Sequence, residues 1–452
     1  MHHRLSVIAL IFTASAYGQQ NGDTSVTLQR ILDRLDQLEQ QNRELVQEVT
    51  NLRQELAATR SPQPSETAVN TNQNTASLED RVKVNEARIA EQAQTKVEAA
   101  HKSPVQLTGV VLFNAFSNSV GNNASAVREY NLLGDSYGSG ATMRQTLLGF
   151  NFQGPQLPAG GHVNGSLMMD FWSGPSSPGS NWIRLREAYI SLDWNNRSFT
   201  VGQEKPLISP YAPDSLAEVG IPPLSGAGNL WYWLPQARYE ERIGLSSNSG
   251  IKAQVAVLQT GGSAYQPSGE HYVEPTKPAL EGRFAFWHRF DETRRFEIAP
   301  GFHVTSLHVQ GSSVDSRIAS LDWLLVPASH LTITGTAFTG LNVAELGSLG
   351  NWIMFYPNGI PHAVHSSGGW TQLAVPITNR LTWNTFMGLE NDNRSNLGAS
   401  AIVHDWSYAS NVMYHLNSNF VIGLEGLQLR TRSASGVSGV QNRYDLAFGY
   451  LF

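Results

Sequence analysis

The sequence predicts an all-β protein, a transmembrane antiparallel β-barrel of about sixteen strands, preceded by an α-helical coiled coil. Three observations carry this. Beyond Pro104 apolar residues recur at every second position, the period of a strand with two different faces. The connections between these segments alternate long and short. Ahead of Pro104 the period is that of a heptad instead.

Composition bounds the reading. The chain has 452 residues, enough for a short module plus a large barrel, yet only 15% are charged and 40 are Gly. That mixture is unusual for a cytosolic enzyme and suits apolar residues spread singly along strands. Cysteine is absent, which removes disulfides, thiolate chemistry and a lipid anchored on cysteine. A net charge of −6 argues against nucleic acid as a partner.

Residues 1–18 read as a signal peptide. His2, His3 and Arg4 precede the apolar run Leu5–Phe12, and Ala14-Ser-Ala16 or Ala16-Tyr-Gly18 supplies the cleavage site. The run is about half the ~20 residues that a spanning helix needs. Residues 19–60 form the coiled coil. Its seam is Leu28, Ile31, Leu35, Leu38, Asn42, Leu45, Val49, Leu52 and Leu56, spaced alternately three and four apart. Asn42 at an a position costs stability and fixes register; taken alone it leans towards a dimer. Residues 61–76 are a linker rich in Pro, Asn and Thr, and 77–103 carry a second, short helix.

The barrel occupies 104–452. Its expected strands are Val105–Ser117, Met143–Gln153, His162–Trp172, Trp182–Trp194, Ser198–Lys205, Ala237–Leu245, Ile251–Thr260 and Leu280–Phe290. Phe296–His308, Val314–Val326, Leu331–Leu341, Gly369–Ile377, Leu381–Asn391, Ser400–His415, Phe420–Arg432 and Gln441–Phe452 follow. Alternation alone would also fit a soluble sandwich. The connections discriminate: 118–142, 206–236, 261–279 and 342–368 fall on one side, while Asn195–Arg197, Thr378–Arg380 and Leu416–Asn419 fall on the other. Long loops at one end and tight turns at the other are the arrangement of outer-membrane barrels. In the last strand Tyr444, Leu446, Phe448, Tyr450 and Phe452 share one face, so Tyr450 and Phe452 form a C-terminal aromatic signature.

With these features in place, the chain resembles the trimeric general and substrate-selective porins, in particular the DcaP-like and phosphate-selective-porin-like branch. The likeness rests on the signal peptide, the coiled coil, the strand count and the terminal aromatic residue. Arg184-Leu-Arg186-Glu-Ala-Tyr189 followed by Phe199-Thr-Val-Gly202-Gln203 adds to it. The resemblance implies a homotrimer in the outer membrane, with the coiled coil in the periplasm as a three-stranded coil despite Asn42. Membrane lipid and small solutes are then the other partners. It implies passive diffusion of small hydrophilic solutes, without enzymatic activity, cofactor or metal.

The resemblance further implies that the longest loop, 206–236, turns inward and narrows the channel, with Tyr211, Asp214 and Glu218 facing the pore; the alternative is a surface loop that caps the barrel. Arg184, Arg186, Arg238, Arg242 and Arg283 are expected to line the lumen, because an arginine facing lipid at mid-membrane costs ~2–4 kcal/mol. Lining guanidiniums favour anions such as dicarboxylates. Pairing with Glu187, Glu240, Glu241 and Glu281 would instead give a neutral wall. The face of the strand around Arg184 is ambiguous, since Ile190 and Leu192 share the arginine parity. Trp231-Tyr-Trp233 reads as part of an interfacial aromatic girdle, or else as the stacking slide of a carbohydrate-selective porin. A barrel hydrolase is the third reading. The thirteen histidines are scattered, and His404-Asp405 point to opposite faces of one strand.

Overall fold

The computed structural model describes residues 105–119, 138–173, 181–260, 273–274, 277–309 and 311–452. All fall in the compact unit Ser103–Phe452. The expected signal peptide, the coiled-coil seam Leu28–Leu56, the linker and the second helix lie outside the described residues.

Sixteen strands form the barrel wall: β1 Val105–Asn118, β2 Leu147–Leu157, β3 Gly161–Ser173, β4 Trp182–Asp193, β5 Arg197–Glu204, β6 Leu234–Gly244, β7 Ser249–Leu258 and β8 Ala279–Arg289, then β9 Arg295–Val309, β10 Ser312–Ala328, β11 Leu331–Leu341, β12 His365–Pro376, β13 Leu381–Asp392, β14 Ile402–His415, β15 Phe420–Ser433 and β16 Ser438–Leu451. Each pairs antiparallel with its neighbours in sequence, and β1 pairs with both β2 and β16, so the sheet closes. Gly109 and Phe452 exchange backbone hydrogen bonds of 3.1 and 3.2 Å at the seam. Closure leaves no sheet edge, which is what allows strands to cross hydrocarbon with their backbone groups satisfied.

The period of two sorts side chains as expected. On β16 Tyr444 and Tyr450 are exposed on the outer face, with Phe452 beyond the strand end, while Arg443, Asp445 and Ala447 are buried inside. On β8 Leu280, Phe284 and Phe286 face out and Glu281, Arg283 and Ala285 face in. Trp182 and Trp383 keep the outward places that an aromatic girdle requires.

Three strand boundaries differ from expectation by four residues. Met143–Thr146 form a turn, because the Thr142 and Thr146 hydroxyls accept backbone N–H groups of Arg144 and Leu112 in place of ladder carbonyls. A short strand, Gly138–Thr142, precedes this turn and pairs with β1. β2 runs on to Leu157 through a bulge, leaving only Pro158–Gly160 as the turn. β12 starts at His365, since pairing with β11 and β13 on both sides overrides the weak strand preference of Ser366-Ser-Gly-Gly369.

Candidate functional site

The segment between β5 and β6, residues 205–233, lies inside the barrel. Its path can be followed wall to wall. Leu207 N–H donates to Glu281 of β8 (2.7 Å), and the Tyr211 hydroxyl reaches Glu297 of β9 (3.5 Å). Asp214 exchanges two 2.6 Å hydrogen bonds with Gln372 of β12, while Asn411 of β14 donates to its carbonyl (2.8 Å). The Ser215 hydroxyl donates to Glu425 of β15 (2.6 Å), and Asn114 of β1 donates to the Leu216 carbonyl (2.6 Å). Returning, the loop is held by Gln145, whose amide donates to Ala217 O and accepts from Val219 and Gly220 N–H (2.6–2.7 Å). Gly228, at φ +94, sits so close to β12 that a Cβ would lie 2.3 Å from the Gly369 carbonyl oxygen. The prolines stiffen this course, and Leu207, Ile208, Leu224, Ala227 and Leu230 bury against inward-facing apolar positions of the wall.

A second loop, 342–364, also turns in. Val343 and Leu346 join the cluster around Leu207 and Leu230, and Trp231 and Tyr232 N–H donate to the Leu346 carbonyl at 3.0 and 3.2 Å. Leu349 N–H caps Glu390 of β13, and Asn351 donates to Asp392 (2.6 Å). Sequence reasoning passed over this segment. Its signal was the apolar content of Val343, Leu346, Leu349, Trp352 and Ile353, which a solvated surface loop does not carry. Buried within it, the Glu345 carboxyl is pushed up to about 7 by loss of water, partly offset by His303.

All five arginines singled out from sequence share the inward face. Arg184 pairs with Asp170 of β3 (2.5 Å) and also donates to Gly220 O of the inward loop. Arg186 donates to Val219 O (2.8 Å) and lies 3.5 Å from the same Asp170. A β-bulge resolves the ambiguous parity of β4. Met168 pairs with Glu187 and Met169 with Leu185, so Arg186 is the extra residue. Arg184, Arg186 and Glu187 therefore all point inward, and beyond the bulge Ile190 returns to the outer face, 52% exposed. Arg238 pairs with Glu204, and Arg283 with Asp322 and Glu297 (both 2.6 Å). Arg242 lies nearest the short-turn end, held by Glu240 at 2.6 Å. Of the four glutamates expected as partners, Glu240 alone pairs with one of these arginines; Asp170, Glu204, Glu297 and Asp322 are the others.

Of the loop residues, Tyr211 borders the lumen, its phenol held above the ordinary value by burial and by Glu297. Asp214 is engaged by Gln372, and Glu218 is only 3% exposed, buried against the wall instead of facing open space. The Trp231–Trp233 run belongs to the inward loop, which corrects its assignment to the lipid girdle. Trp233 stands edge-on to Trp231 (80°), with the Arg186 guanidinium 4.4 Å over its ring and its indole N–H donated to Glu187.

On β3–β10 the inward cations stand among carboxylates, whereas the inward charges of β13–β16 are mostly carboxylates. Glu390, Asp392, Asp405, Glu425 and Asp445, on β13–β16, are at most 7% exposed. The two inward loops cover Glu390, Asp392 and Glu425, and Arg443 engages Asp445. On the other side a cavity of ≈ 340 Å³ is lined by Lys205, Arg238, Lys252, Arg283, Glu187, Glu204 and the first turn of the inward loop. The Lys205 ammonium has no hydrogen-bond or ion-pair partner among the described residues, and burial holds its pKa below the ordinary lysine value. The expected strand Ser198–Lys205 gives it the outward parity of Phe199 and Val201, but the strand ends at Glu204 and the chain turns inward at Lys205.

No family model matches the chain, and neither does any curated protein. Solved structures do. The chain is similar to the outer membrane channel DcaP of Acinetobacter baumannii, with TM-score 0.64 and 17% identity over 77% of this chain and 97% of that one. It is also similar to OmpF of Salmonella typhi, solved in complex with daunomycin, with TM-score 0.50 and 11% identity over 78% and 99% of the two chains. These neighbours are outer-membrane porins, and the shared feature is the fold.

Proposed function

We propose that this chain is an outer-membrane porin through which small hydrophilic solutes diffuse passively, with a preference for small anions such as dicarboxylates. The barrel supports the membrane placement. Its outer face carries Phe284, Phe286, Leu424 and Tyr444 exposed, and it closes on itself without an edge. The long-loop end then faces outward and the tight turns face the periplasm.

One observation carries the preference: Lys205, which has no ion-pair partner among the described residues, lines a cavity with Arg238, Lys252 and Arg283, four cations against the two carboxylates Glu187 and Glu204. The carboxylates of β13–β16 are covered or paired, so the excess of cations in this cavity is the charge that a passing solute meets. An anion passing there exchanges part of its hydration for ammonium and guanidinium donors. The proposed assembly is a homotrimer of separate channels, in keeping with the heptad seam, and chemical crosslinking of the folded protein counts its subunits.

Reversal potentials of single channels in a potassium chloride gradient test the reading. Anion-leaning potentials, with conductance reduced by added succinate, are expected. A cation-leaning potential would remove the anion preference, and absence of channels from the folded protein would remove the porin itself.

A further inference from the structure

The outer faces of β13–β16 are apolar or neutral except at the long-loop end. There Arg430 and Arg432 project from β15 on the same face, beside His404 of β14, and no carboxylate shares that face on these four strands. Arg317 and Arg294, by contrast, are neutralised locally, by Asp315 at 2.5 Å and by Asp291 at 2.6 Å. Arg430 and Arg432 have no carboxylate partner among the described residues.

The pair is also held in place. The Arg430 guanidinium lies 5.1 Å over the Trp406 ring and donates its Nε–H to Gln428 at 2.7 Å. Gln428 is fixed in turn by the Tyr408 hydroxyl (3.0 Å) and by its own amide donating to Asn442 (2.7 Å). Arg432 stands opposite His404, whose ring is tied to Asn391. Two neighbouring exposed guanidiniums, one of them seated over an aromatic ring, at the level where hydrocarbon gives way to headgroups, match a phosphate group.

We propose that this rim of β14 and β15 binds the phosphate-bearing headgroup of an outer-leaflet lipid. The inference rests on the barrel lying in a bilayer with its long loops outward. Charge complementarity favours lipid over a second copy of the chain: on the described strands, the outward carboxylate near that end is Asp315, already held by Arg317.

The test uses the folded full-length protein in detergent, titrated with lipopolysaccharide, with the same lipid after enzymatic dephosphorylation, and with inorganic phosphate. Native mass spectrometry reads the binding. Wild type is expected to take up the phosphorylated lipid at least about tenfold more tightly than the dephosphorylated one, with no uptake of inorganic phosphate at the same concentration. R430Q/R432Q is expected to lose that difference while keeping its single-channel conductance, since neither arginine faces the lumen. Equal affinity for both lipids, which needs no variant to observe, overturns the proposal. So does unchanged binding by R430Q/R432Q, saturation by inorganic phosphate alone, or loss of oligomers with lipid binding intact, which would place a second copy at this rim. Channels that conduct while lipid binding fails would separate this failure from failure of the porin reading.

Discussion

Arg283 and Asp322 meet through two parallel hydrogen bonds, Nε to Oδ2 at 2.8 Å and Nη2 to Oδ1 at 2.6 Å, although they sit two strands apart on β8 and β10. Glu297, on the strand between, accepts a further bond from Arg283, so one guanidinium holds two carboxylates on the inner wall. Removing it leaves those charges facing each other with little water. Arg283→Gln is expected to destabilise the barrel by about 3 kcal/mol in detergent–urea unfolding and to move the reversal potential towards cations. An unchanged unfolding midpoint would show that Lys252 suffices.

Lys205 carries the proposed anion preference, so Lys205→Gln is expected to lower anion over cation permeability roughly two- to fivefold without altering stability. That is the scale of one charge about 4 Å from a solute in a water-like medium, ~1 kcal/mol. Because burial depresses the ammonium's pKa, the preference of wild type is expected to fade at a lower pH than an exposed lysine would give. Bi-ionic reversal potentials as a function of pH check both statements.

Gln145 anchors the return limb of the inward loop through three hydrogen bonds. Gln145→Ala strips the partners from the Val219 and Gly220 N–H groups, at about 1–3 kcal/mol for each buried donor left unsatisfied. The loop is expected to detach on that side, giving larger and noisier single-channel currents. Currents indistinguishable from wild type would show that Arg184 and Arg186 hold it alone.

Glu345 couples the second inward loop to pH. Its carboxyl, raised to about 7 in the folded protein, holds a proton that the unfolded chain releases near 4.5. The stabilisation is therefore complete below pH 4.5, is lost as pH rises to 7, and is constant above that. The expected loss is on the order of 3 kcal/mol across that window. Thermal unfolding between pH 4 and 8 measures it, and Glu345→Gln, which keeps the neutral shape, is expected to flatten the curve.

The strands were legible because their signal is local. A side chain on β8 or β16 meets either the outer surface or the lumen, and that choice repeats every second residue whatever the remote contacts are. Strand boundaries failed where side chains replaced ladder bonds, as at Thr142 and Thr146, or where two neighbours imposed pairing on the weak segment Ser366–Gly369. The inward parity of Arg238, Arg242 and Arg283 followed from the same period. Around Arg186 parity broke down, because one inserted residue shifts every later side chain to the other face and leaves no mark in the composition.

A barrel with long loops at one end is readable along the chain, since period and connection length are properties of neighbouring residues. Where those loops go, and which charges they leave open to the lumen, depends on contacts between residues far apart in the chain. Ser215 meets Glu425 across 210 residues of chain, and Leu349 meets Glu390 across 41. Such contacts depend on which strands the closed cylinder sets opposite one another, and this is fixed only when β1 meets β16.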